Sequence, residues 1–126
     1  MHDQPSVAEL VQAVKNFIDE TASPNLTGHA AFHARVASNA LDTVLRDIEQ
    51  RPQSEASERA RLIELLGASE AATVETLNAE LSNRIRQGEM TTETAGLLAH
   101  LKATTMAQVE IDQPRYSGLK TAKKLS

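Results

Sequence analysis

Apolar residues in this chain recur at intervals of three and four, and nowhere do they alternate with polar residues between turn signals. Alternation is what a half-buried strand needs and three-and-four spacing is what a helix face needs, so the pattern confines the chain to an all-α fold. Val7, Leu10, Val11, Val14, Phe17 and Ile18 fall in one core-facing arc, and Ser6 followed three residues later by Glu9 forms a capping box ahead of them. Ser23, Pro24 and Asn25 break that first helix. A second helix is expected from Thr27 to Arg51, where Pro52 removes an amide donor. Its inward stripe reads Ala30, His33, Ala34, Ala37, Leu41, Val44 and Ile48. A short third helix over 54–66 ends at Gly67, a residue suited to a left-handed cap. The fourth, over 70–87, carries Val74, Leu77, Leu81 and Ile85 and ends at Gly88. The fifth starts near Thr91 and stops before Pro114.

Short connections favour antiparallel neighbours, so these elements predict an antiparallel helical bundle of four long helices plus one shorter helix. Residues 1–119 form the single helical domain expected at this length, and 120–126 a basic, flexible C-terminal tail. The core must be made of small side chains, because 19 alanines face only three aromatics, Phe17, Phe32 and Tyr116. Closely packed helices fit this better than a large ligand cavity, and a stripe too wide for its own bundle invites a homodimer.

Charge and chemistry exclude more than they specify. Residues 1–112 carry 9 basic and 17 acidic groups, an acidic body that argues against bulk nucleic-acid binding. The absence of cysteine removes thiolate catalysis and cysteine-based metal centres. No apolar run approaches a bilayer span and the opening MHDQPS is polar, so no membrane partner is expected and the cytoplasm is the expected compartment. No glycine-rich phosphate loop, zinc-protease pair or serine-nucleophile motif occurs, so no catalytic residue and no cofactor is expected. His29 and His33 share a helix face at four-residue spacing, but two imidazoles are not a metal site, and none is expected; His33 reads as an imidazole hydrogen-bonded at the core edge.

Two segments break the pattern. On the second helix Phe32 projects to the side of Arg35, Asn39 and Asp42, where an aromatic calls for a cover. On the fifth, the arc through Leu98 and Leu101, read as inward, continues as Thr105, Gln108 and Asp112. Asp112 then sits at a helix C-terminus, where an arginine partner, Arg115 or Arg35, would offset its charge. The stretch from Asp112 to Leu119 reads as a turn that docks through Tyr116 and Leu119. The two surpluses are complementary, so this turn is expected to fold onto Phe32, Arg35 and Asn39, within one chain or across a dimer. The candidate binding or interaction residues are therefore Phe32, His33, Arg35, Asn39, Asp112, Arg115 and Tyr116.

LTGHAAFHARVASNAL at 26–41, IDQPRYSGL at 111–119 and PSVAELVQAVKNFI at the start closely resemble a bacterial family of small cytoplasmic proteins, domain of unknown function 6285. The family has no established catalytic residues, so the resemblance implies none. Its members are often encoded beside an acyl-CoA dehydrogenase and a phosphotransferase related to aminoglycoside and choline kinases. The resemblance therefore implies a partner from an acyl-CoA or phosphotransferase pathway. A non-catalytic accessory or interaction protein is the leading expectation. The alternative is a small-molecule binding protein or small enzyme, taking a carboxylate, phosphate or acyl-CoA at a His/Arg/Asp/Tyr site.

Overall fold

The computed structural model describes residues 4–125, so Ser126 of the expected tail and His2 lie outside the described residues. Every regular element among them is helical: α1 (Val7–Phe17), α2 (Gly28–Leu66), α3 (Val74–Arg86), α4 (Leu97–Asp112) and α5 (Ser117–Lys124). Ser6 caps α1 by accepting the Glu9 amide at 3.1 Å. The helix then loosens into a π-turn over Ile18–Ala22 and a tight 3-10 turn at Ser23–Asn25, where Pro24 ends it. Among the described residues no helix is long and apolar enough to cross a membrane.

Pro52 does not end the second helix. The elements expected at 27–51 and 54–66 are one helix of 39 residues with Pro52 inside it. Proline deletes one hydrogen bond and crowds the preceding turn, but Gln50, Arg51 and Gln53 around it are good helix formers. The chain nevertheless divides near this point into two compact units, Met1–Gln50 and Arg51–Ser126.

The first unit is a helical hairpin. Ser38 bonds Asp19, and Lys15 reaches both Ser38 and Asp42, so α2 runs forward as α1 runs backward. The face of α2 turned inward carries Ala31, Ala34, Ser38, Leu41, Asp42 and Leu45. This is rotated from the expected stripe: Ala30, His33, Ala37 and Val44 are exposed. His33 is thus not a core-edge histidine. Its ring meets Phe32 edge-on, with centroids 5.6 Å apart.

The second unit holds the apolar core. Leu62 and Leu66 of α2 pack with Leu77 and Leu81 of α3, Met90 and Leu97. The α3 stripe expected from the sequence is in place, Ile85 alone of its four residues being exposed. Gly67 and Gly88 end their helices at positive φ. The start expected near Thr91 falls instead at Leu97, because Thr91 and Thr94 hold the backbone in a turn. The Thr91 amide donates to Thr94 Oγ1 at 2.9 Å and the Glu93 amide to Thr91 Oγ1 at 3.2 Å, alternatives to helical bonding. The buried arc of α4 is Leu97, His100 and Ile111, with Thr104 and Ala107 half-buried between them. Leu98, Leu101, Thr105, Gln108 and Asp112, expected to point inward, form its exposed side. Residues 120–124, expected as tail, belong to α5, which buries Leu119 and ties Lys123 to Glu110 at 2.7 Å.

Candidate functional site

One edge of the hairpin is polar and built around Lys15. Its ammonium donates to Asp19 Oδ2 at 2.5 Å and to Ser38 Oγ at 2.9 Å, and lies 3.7 Å from Asp42 Oδ2. The buried Ser38 hydroxyl donates in turn to Asp19 Oδ1 at 2.5 Å. The Lys15 ammonium, and then the Ser38 hydroxyl, hold the Asp19 carboxyl below its ordinary range. The same carboxylate is the main cause that raises Lys15, against the partial burial of the ammonium. Arg35 and Asn39 line a cavity of about 410 Å³ with Lys15, Asp19 and Ser38. Two of the residues singled out in the sequence therefore share a polar cavity with a three-membered network that the sequence did not announce. No periodicity marks Ser38, since a buried serine interrupts an apolar stripe.

The opposite edge of the hairpin is apolar. Val11 and Ile18 are half-buried against α2, whereas Val7, Leu10, Val14 and Phe17 are 65, 52, 53 and 60% exposed. Lys15, Asp19, Arg35, Asn39 and Asp42 all leave the helix contact on the polar side. By helical geometry the four exposed α1 residues and Ala30, His33, Ala37, Val44 and Ile48 of α2 leave it on the other. No charged side chain stands in this set. Phe32, half exposed, lies toward the polar edge beside Arg35.

The remaining candidates belong to the second unit. Asp112 accepts a hydrogen bond from Gln108 Nε2 at 2.8 Å, and Gln108 Oε1 accepts one from Arg51 at 3.0 Å. An arginine thus reaches the acidic helix end through a glutamine relay, and it is neither Arg115 nor Arg35. Arg115 is exposed. Tyr116 is 55% exposed, and its ring lies on Gly118, where an added Cβ would stand 2.5 Å from Cε1. The anchor of this turn is Leu119, which is buried.

A further polar group lies buried in the second unit. Arg61 of α2 donates through Nε to His100 Nδ1 at 3.3 Å and through Nη2 to Thr104 Oγ1 at 3.0 Å. Burial first, and the Arg61 charge second, hold the His100 imidazole below its ordinary titration range, with Glu58 opposing. The signal available was a histidine and a threonine at four-residue spacing on α4, masked by the leucines on its other side. Among the described residues no group of three or more His, Cys, Asp or Glu is placed to hold a metal ion.

No curated protein and no solved structure matches the chain. A family model does match, over residues 24–116, taking in α2, α3, α4 and the turn through Tyr116. On that match, which spans well over half of the chain, the protein belongs to the family described as Domain of unknown function (DUF6285).

Proposed function

We propose that this is a non-catalytic accessory protein that works as a homodimer, its hairpins pairing through their apolar edges. The carrying observation is that the first unit lacks a core of its own. Among the described residues every buried apolar side chain lies at Leu62 or beyond, while Val7, Leu10, Val14 and Phe17 face solvent. A hairpin of this size cannot offset its conformational entropy without burying apolar area. A second copy supplies what is missing, because a charge-free edge is complementary to itself about a two-fold axis. Two hairpins so paired make a four-helix bundle.

The accessory role rests on the family resemblance, which points to a cytoplasmic setting and to an acyl-CoA dehydrogenase or phosphotransferase as the enzyme served. Gentle isolation from the native cell tests it. Recovery of one of those enzymes with the protein, and a changed activity of the purified enzyme on adding it, is the expected result. Repeated recovery of the protein alone, with the enzymes indifferent to its addition, contradicts the accessory role and leaves the dimer to be judged separately.

A further inference from the structure

One face of α4 is apolar and only partly covered. Ala99, Ala103, Met106 and Ala107 line a cavity of about 610 Å³ that Leu125, just past α5, also borders. From Ala99 to Glu110 the lining extends roughly 16 Å along the helix axis, at 1.5 Å per residue. Apart from Lys102 and Glu110, no lining side chain offers a nitrogen or oxygen, so a molecule lying between those two must be apolar in its middle.

The charge of this cavity is unbalanced. Lys102 is half-buried, and among the described residues its ammonium has no hydrogen-bond or ion-pair partner. Glu110, the acid on the same wall, is already tied to Lys123 at 2.7 Å. It also stands roughly 12 Å from Lys102 along the helix axis, so it does not serve that cation. The cavity is left with one net positive charge. Residues 113–126, from which α5 is drawn, add Lys120 and Lys124 and no acid. An ammonium partly withdrawn from water, its stem lying on apolar surface, favours an anion that brings apolar area with it.

We propose that this groove binds a medium-chain aliphatic carboxylate, its head on the Lys102 ammonium and its tail along Ala103 and Ala107 toward Leu125. Charge complementarity selects the head: one unpaired ammonium matches a monoanion. The lining selects the tail, since alanine, methionine and leucine offer a hydrocarbon only contact. Leu125 is 76% exposed, so a tail lying beside it removes apolar surface from water on both sides. A second carboxylate at the far end would meet Glu110, whose cation is already engaged, which disfavours a dicarboxylate. All of these residues lie in the second unit, so the site does not depend on the dimer.

The test titrates the isotope-labelled full chain with sodium octanoate below its micelle concentration, with octanamide as the neutral isostere, butyrate as the short homologue and phosphatidylglycerol vesicles as an anionic surface. The expected result is saturable movement of the Ala99, Ala103, Met106 and Ala107 methyl signals with octanoate, with a Kd on the order of 1 mM. Octanamide should bind several-fold more weakly, and butyrate about tenfold or more. Lys102→Gln, at a cation with no partner to lose, should bring octanoate down to the affinity of octanamide, and Lys102→Arg should keep the parent affinity. Ala103→Leu, a good helix former that fills the groove, should abolish the shifts. Absence of saturable shifts with octanoate overturns the proposal. So do equal binding of octanamide, equal binding of butyrate, indifference to Lys102→Gln, or shifts that vesicles produce and octanoate does not.

Discussion

At the scale of single residues, two groups tie local chemistry to measurable quantities. Gly118 is required by its neighbour: a Cβ there would stand 2.5 Å from the ring of Tyr116. Tyr116 is the only tyrosine and the chain has no tryptophan, so the tyrosine band of the near-ultraviolet dichroism reports the setting of this ring. Gly118→Ala should displace the ring and change that signal while far-ultraviolet dichroism holds; an unchanged tyrosine signal contradicts the packing. The Asp19 carboxyl, held below its ordinary 3.8 chiefly by Lys15, binds fewer protons folded than unfolded. Its contribution is therefore complete above 3.8 and lost as pH falls below 3.8 through the depressed value. Lys15, raised from 10.5 mainly by Asp19, contributes fully below 10.5 and loses that share as pH rises through the raised value. Ser38→Ala removes the second cause of the Asp19 shift. It should lower stability at neutral pH and shorten the acid limb of stability toward 3.8, read by urea unfolding across pH. An acid limb identical to that of the parent protein would show that the serine does not act on Asp19.

At the scale of elements, the sequence was most legible where capping and stripe agree, and least where apolar residues surround a helix. Ser6 is the N-cap of α1, and the α3 stripe buries Leu77 and Leu81 as read. On α4, leucines 97, 98 and 101 lie on both sides, so periodicity gave no direction. His100 and Thr104 on the inward side then made the exposed arc look like the core. On α2 the inward serine has the same effect: Arg35 and Asn39 stand out by their face, while the Lys15 network that shares their cavity leaves no mark on the periodicity. Pro52 shows a different limit, since a helix breaker signals an end where the helix passes through it. If α2 is continuous there, Pro52→Ala restores an amide donor at an exposed site and should stabilise the protein by about 1–3 kcal/mol in urea unfolding. Were residues 50–54 a true break, the same change would remove a useful restriction of the unfolded chain and lower stability.

At the scale of the whole molecule, the core is unequally distributed: the second unit buries Leu62, Leu77, Ile111 and Leu119, while the first presents its apolar edge to solvent. That asymmetry is the physical basis for reading the first unit as an assembly surface. A core substitution and an edge substitution should therefore behave differently. Leu62→Ala, at a fully buried position, should cost about 2–5 kcal/mol at any protein concentration. Val14→Glu, at an exposed position, should act through association. The most direct test of self-association is the solution mass by light scattering over a range of concentrations, for the parent chain and for Val14→Glu. Pairing of the hairpins predicts about twice the 13.7 kDa chain mass for the parent and a single-chain mass for the variant. A parent protein that stays at the single-chain mass throughout, with Val14→Glu unchanged in stability, would contradict it.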